Sequence, residues 1–467
     1  MPFDLHALVK EKQGQARRLH EQYGNTVFTQ VLEMIGFDHE YAEGEGSYLT
    51  TTEDRRVFDG LSGYGVFGLG RNHPVIKQAI ADALDHNFPN LVQMDCSLLS
   101  GMLAERLIQI APGDRLQHVF FTNSGAEAVE GAIKFARAAA NRPRILYSKG
   151  AFHGLSTGSL ALNGDESFRE GFGDLLPGCQ AIDPEDLDAL KHELKKGDVA
   201  AVMLEPIRGK GVFYPKDDSI FPAIQRLCHE HDVLFVIDEI QTGLGRTGKR
   251  WASEHWDLKP DMLVTAKLLS GGMVPVGAIL HSETIYRQVF SRLDRCVVHS
   301  STFGQNALAM VAGLATLQVI EDEDLVNRCA QQGEKLRAGL QGLESKHEFV
   351  REVRGKGLMI GIEFGAPRSL RLKPAYSLLH AAQKGLFAQA IVMQLYRNHN
   401  LLTQVSGHNQ EIVKLLPPYA ITDAEIEHII NAFDAELQEC QRFPGPVWSV
   451  GKQLAGAAAR QRFAARS

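Results

Sequence analysis

The sequence is short of cysteine and nowhere groups it. Cys96, Cys179, Cys228, Cys296, Cys329 and Cys440 are scattered through 467 residues, with no C-x-x-C pair and no metal-like cluster. That pattern sets aside a disulfide scaffold and reads as reduced packing residues of a cytoplasmic protein. Long apolar runs are also missing: residues 199–204 and 233–237 fall far below the ~18–20 residues that span a bilayer. The opening stretch, MPFDLHALVKEKQGQARR, holds no apolar h-region, so no secretory signal is read there. Positive charge is not in excess. The 49 basic and 56 acidic side chains leave a net −7, which argues against a protein built to grip nucleic-acid backbone. No G-x-G-x-x-G joins a strand to a helix with an acid about twenty residues on, which disfavours a nicotinamide dehydrogenase. The histidines show no ligand spacing, so no metal is expected.

What remains is an ordinary globular balance, 44% hydrophobic and 22% charged, in a chain long enough for two or more packed units. The middle alternates strand-like and helix-like stretches. HVFFT (118–122) precedes a helical AEAVEGAIKFARAAA, and strands are expected over 144–147, 199–204, 234–237 and 262–265, with a helix over 221–231. That alternation argues for a mainly parallel sheet covered on both faces. From about Asp322 the texture changes to a long amphipathic helix, two short strands around a glycine turn (350–364), one helical region (376–398), a strand (412–415) and a last helix (423–440). This reads as a smaller α+β domain. The first ~60 residues are too small for a core of their own and either join it or wrap a partner. The Ala-rich tail is expected as a helix packed on a dimer or as a frayed terminus.

Ligands of open parallel sheets bind outside the carboxyl ends of the strands. Four expected strands deliver polar residues there: Ser124-Gly125, His153, Asp238 and Lys267. A lysine after a strand is commonly a solvated surface residue. In TAKLLSGG, flanked by apolar and small residues, it also reads as an amine in a water-poor pocket, where desolvation makes it a nucleophile toward carbonyls. Asp238 either caps the next turn or serves as a buried carboxylate of the kind that keeps the pyridine nitrogen of pyridoxal phosphate protonated. Ser124 is either a plain N-cap or the start of a phosphate cradle at a helix N-terminus.

The motifs DEIQTGLGRTG (238–248) and PDMLVTAKLLSGG (260–272) together resemble the signature of class III aminotransferases. SGYGVFGLGRNHP (62–74), FFTNSGAEAVEGAIKFAR (120–137), AFHG (151–154), EPI (205–207) and STFGQNALA (301–309) follow in the family's order. The resemblance runs from about Gly24 to Glu436. It implies the α/β fold-type I architecture of pyridoxal-phosphate transferases, with a large domain on a mainly parallel, seven-stranded sheet and a smaller α+β domain. Domains are accordingly expected at 66–325 and 326–440, with 1–65 joining the small domain and making dimer contacts, and 441–467 as a tail. By the same resemblance Lys267 is the Schiff-base lysine and proton shuttle, Asp238 pairs with the pyridinium, and Gln241 reaches the ring hydroxyl. Ser124, Gly125 and Ala126 cradle the phosphate, Phe152 stacks on the ring with His153 beside it, and Glu205 supports the site. Thr302 matches a residue that reaches the neighbouring subunit's phosphate, which implies a homodimer with shared active sites. Ping-pong transfer between small amines and keto or aldehyde compounds is the expected reaction.

Three positions depart from the family. Leu155 stands where some relatives carry arginine, Lys414 replaces the arginine that grips an α-carboxylate, and Lys210 replaces the acid that pairs with it. Gln404 aligns with the mobile arginine of another branch. Lys414, Arg208 or Lys210 could still take a carboxylate. Alternatively, Leu155, Tyr64 and Phe67 form an apolar wall for a hydrophobic or long-chain aldehyde or ketone, with glutamate or alanine as the other partner. An ornithine-, 4-aminobutyrate- or diamine-type enzyme using 2-oxoglutarate, or an aminomutase or decarboxylating relative, are the competing readings.

Overall fold

A computed structural model describes residues 3–90, 95–407 and 409–464. Its centre is a seven-stranded sheet: β1 (Leu116–Thr122), β2 (Arg144–Ser148), β3 (Cys179–Ile182), β4 (Val199–Leu204), β5 (Leu234–Asp238), β6 (Met262–Thr265) and β7 (Gly277–Ser282). The spatial order is β1-β7-β6-β5-β4-β2-β3. Only β7 runs antiparallel, between β1 and β6. Two of these strands were not foreseen. β3 is a half-exposed edge strand of four residues, and β7 follows a turn rich in glycine and proline.

The sheet is buried on both faces. Along β4, Val202 and Leu204 join one apolar cluster while Ala201 and Met203 join another, and Phe235 and Val236 of β5 split the same way. Alternation across two buried faces is why these strands read as continuous apolar runs. Each fully buried Val, Leu or Ile contributes about 1.5–3 kcal/mol. After β1, the helix Gly125–Ala140 starts on a Ser124 cap, whose Oγ accepts from Glu127 N at 3.1 Å, and lays Val129, Ile133 and Ala136 on the sheet.

A second, antiparallel sheet orders Val350–Lys356, Met359–Phe364, Ile412–Leu415 and Gln404–Val405. The N-terminal segment is not independent: Tyr41–Glu45, Tyr48–Thr51 and Arg56–Asp59 form a sheet completed by Leu401–Leu402, parallel to the last of them. Arg55 Nε donates to Asn400 Oδ1 at 2.6 Å across the same junction. The single helix expected over 376–398 is two, Lys373–Ala382 and Leu386–His399. Gly385 (φ 89°) breaks it, and Glu411 accepts from Gly385 N and Ala388 N at 3.0 and 2.9 Å, capping the second.

The tail forms a helix, Pro446–Ala464, packed on its own chain. Trp448 lies against Phe349 and Phe387 (ring centroids 5.9 Å from each), and its Nε1 donates to Cys440 O at 2.9 Å. Trp448→Ala is expected to cost about 3–5 kcal/mol, read from denaturant unfolding. A frayed terminus would give no change.

Candidate active site

The carboxyl ends of β1, β2, β4, β5 and β6 open on one cavity of about 1000 Å³. Asp238 closes β5, only 4% exposed. Its Oδ1 accepts from Ile240 N at 2.9 Å and its Oδ2 meets His153 Nδ1 at 2.7 Å. Burial opposes a charged imidazole, but the Asp238 hydrogen bond and charge outweigh it and raise the His153 pKa. His153 Nε2 is buried without a partner. Glu205, just past β4, accepts from Phe152 N at 2.9 Å and Gly209 N at 2.7 Å. It thereby fixes the loops on either side. Burial raises its pKa, partly opposed by His153.

Lys267 follows β6 with φ 45°. A non-glycine residue held there stores about 1–3 kcal/mol of strain, the kind of outlier that marks functional sites. Burial holds its amine below the usual lysine range, partly opposed by the charges of Asp238 and Glu205. Across the cavity, Ser124, Gly125 and Ala126 form the start of the 16-residue helix after β1. The first amide N–H groups of a helix have no intrahelical acceptor, and the helix dipole there favours an anion. A Cβ on Gly125 would come within 3.0 Å of Ile240 Cδ1, so that approach is close.

The remaining wall is organised from the N-terminal segment and the small sheet. Ser62, Gly63 and Tyr64 form a left-handed turn (φ 48°, 56° and 63°) held by Asp59 Oδ1, which accepts from Leu61 N and Ser62 N at 3.1 and 2.8 Å. Tyr64 Oη accepts from Gln404 Nε2 at 2.9 Å, and Tyr64 O accepts from Gln241 Nε2 at 3.0 Å. Leu155, 52% exposed, lines the mouth. Lys414 Nζ donates to Gly209 O at 2.8 Å and Gln241 Oε1 at 3.4 Å. Burial, reinforced by the nearby Lys267 charge, brings its pKa down to about 7. Lys210 Nζ pairs with Asp165 Oδ2 at 3.1 Å and sits 4.1 Å from the Phe168 ring centroid and 5.2 Å from that of Phe152.

Three expected residues lie elsewhere. Phe67 packs behind Gly63 and Gly272 with the Arg71 guanidinium 4.1 Å from its ring, so it backs the wall instead of facing the cavity. Arg208 turns toward Phe213 and the carbonyl of Lys149, away from the cavity. Thr302 is exposed and outside the cavity of its own chain. Phe168 and Gln389 line the cavity unforeseen, because neither sits in a motif. Two motif residues prove architectural. Glu239 is fully buried and accepts from Thr242 Oγ1, Ala252 N and Ser253 N, and Arg246 donates to Leu358 O and Pro417 O. Arg246 thus ties the loop after β5 to the small sheet.

A buried carboxylate, a desolvated lysine amine and a helix N-terminus around one cavity fit the ring nitrogen, aldehyde and phosphate of pyridoxal phosphate. With this sheet order they define a fold-type I pyridoxal-phosphate-dependent transferase. Residues 34–437 match the family described as aminotransferase class III, and the chain belongs to that family. It is a pyridoxal-phosphate-dependent aminotransferase.

The chain is 32% identical over 455 residues to the aminotransferase PigE of Serratia sp., covering 91% of this chain and 53% of that protein, so it spans about half of PigE's length. It is 36% identical over 407 residues to the acetylornithine aminotransferase of Caldanaerobacter subterraneus, covering 85% and 94%. Among solved structures, the ornithine aminotransferase of Toxoplasma gondii superposes with a TM-score of 0.81 at 25% identity, covering 95% of this chain and 100% of that one. An amine transaminase from an uncultivated Pseudomonas species, in its pyridoxal-phosphate-bound form, gives 0.76 at 28%, covering 86% and 95%. Among the described residues, no group of His, Cys, Asp and Glu could hold a metal ion, and no helix is long and apolar enough to cross a membrane.

Proposed function

We propose that this enzyme moves an amino group between an amino acid, glutamate or alanine, and a hydrophobic carbonyl compound, an alkyl aldehyde or ketone. The observation that carries the reading is the state of the cations. No arginine is among the described residues lining the cavity, and each of its two lysines other than Lys267 already holds an oxygen of its own chain. A carboxylate beside the reacting amine thus meets no free guanidinium fork. Leu155, Val66, Val405 and Phe168 offer apolar contact instead. We read the chain as a homodimer in which Thr302 reaches the partner's phosphate site. The division into units at 66–325 and 326–440 is likewise our reading of the two sheets.

Bound pyridoxal phosphate supplies a ring that takes up the electron pair left when the substrate carbon loses its proton. Lys267 carries that proton on Nζ, its amine kept reactive by burial. Asp238, oriented by His153, would hold the ring nitrogen protonated, Gln241 and Phe152 would hold the ring, and Ser124, Gly125 and Ala126 would hold the phosphate. Glu205 keeps the flanking loops in place. The test is a panel of donors and acceptors under ping-pong conditions. Alkyl amines are expected to exceed ornithine, acetylornithine, 4-aminobutyrate and diamines in kcat/KM, and the reverse order overturns the reading. Leu155→Arg places a cation at the apolar mouth and is expected to lower alkyl-amine kcat/KM about tenfold or more. An unchanged value would remove Leu155 from the wall.

A further inference from the structure

We propose that Lys210 is the carboxylate-binding cation of the amino-acid half-reaction, and that Asp165 occupies the place of the substrate carboxylate when none is bound. This rests on the reading above and supplies what it leaves open: how a cavity suited to alkyl compounds also takes an amino acid.

Three lysines reach the cavity among the described residues. Lys267 serves the cofactor. Lys414 is 5% exposed and is bonded to Gly209 O, a backbone carbonyl that cannot leave without unmaking the loop that Glu205 fixes. Lys210 differs on both counts. Its side chain is 13% exposed, and its hydrogen-bond partner is a carboxylate on a different loop, 45 residues away.

That carboxylate is built to be exchanged. Asp165 opens the short turn Glu166–Phe168, and the two jobs of its side chain fall on different oxygens. Oδ1 accepts from Ser167 N at 3.1 Å and Ser167 Oγ at 2.6 Å, whereas Oδ2 accepts from Lys210. Oδ2 can therefore let go while the turn keeps its own cap. With 22% of its side chain exposed, Asp165 has solvent to retreat into. A substrate carboxylate arriving at Lys210 presents the same group with the same charge, so the ammonium is never left half-buried and unpaired during the exchange.

An alkyl substrate makes no such exchange. The pair stays closed, and Phe168 and Phe152, whose rings meet edge-on at 6.0 Å, remain as apolar surface. One cavity thereby accepts the two substrates of a ping-pong cycle, one anionic next to the amine and one not.

The test uses holoenzyme, with each half-reaction followed alone through the cofactor's absorbance. For L-glutamate and L-alanine against a straight-chain alkyl amine, Lys210→Met is expected to lower the amino-acid to alkyl-amine ratio of kcat/KM about 10- to 100-fold, through the amino-acid KM. Lys210→Arg restores most of the ratio. Asp165→Asn, which removes the competing charge, shifts the ratio the other way. Calorimetry with glutarate, a dicarboxylate with no amine, is expected to show tighter binding in Asp165→Asn and none in Lys210→Met. An unchanged ratio in Lys210→Met, or a loss of amino-acid affinity in Asp165→Asn, overturns the proposal by reducing the pair to scaffolding. If the amino-acid effects hold but alkyl amines are not used, the hydrophobic-substrate reading fails and this one stands.

Discussion

Replacing Lys267 with alanine is expected to slow both half-reactions by about 10⁴-fold or more, since in our reading it removes the proton carrier at the end of β6 together with the cofactor's covalent anchor. The effect should be confined to chemistry. Alanine at φ 45° bears the same backbone strain as lysine, and the change removes an amine whose charged form burial disfavours. The thermal midpoint of the apoenzyme is therefore expected to hold or rise. Borohydride is expected to fix the cofactor to the wild-type chain and to fix none to the variant. A variant that keeps more than about a hundredth of wild-type kcat would displace Lys267 from this role.

Asp238→Asn is the second large effect, about 10²–10³-fold in kcat, the scale on which removal of one preorganised electrostatic partner is felt. Asparagine keeps the shape and still accepts from Ile240 N, so folding should be little affected. What disappears is the negative charge that raises the His153 pKa and, in our reading, holds the proton on the ring nitrogen. Reconstituting the variant with an N-methylated cofactor, whose ring nitrogen is permanently cationic, is expected to recover part of the rate. No recovery, with the analogue shown to bind, would mean that Asp238 acts only by holding His153 in place.

Much of this site was legible before any coordinates. Asp238 and Lys267 end apolar runs abruptly, and a strand buried on both faces has few other ways to finish than at a polar residue on the sheet edge. The Ser124 cap and its helix were equally plain, because the small and apolar residues after it repeat at helical spacing. Harder to see was anything decided by tertiary neighbours. β3 (Cys179–Ile182) is a four-residue strand half exposed at the sheet edge, and β7 (Gly277–Ser282) follows a glycine- and proline-rich turn that hides its start, so neither stood out from its surroundings. Phe67 looked like cavity wall from its motif, yet Gly63 and Gly272 leave room for its ring behind them. Lys210 and Lys414 displayed their charges in the sequence but not their partners. One is an aspartate from a separate loop and the other a carbonyl oxygen, and the engagement of those two ammonium groups decides what the cavity can hold.

The parallel pairing of Arg56–Asp59 with Leu401–Leu402 has a consequence for biosynthesis. Arg55 and Asn400 are 345 residues apart, so at about 5–20 residues per second the ribosome needs roughly 20–70 s to deliver the partner strand after the first has emerged. Throughout that interval the early strand has one open edge. Nascent chains stalled short of residue 400 should therefore be bound by chaperones and cut by protease near the N-terminus, even when the central sheet is already protected.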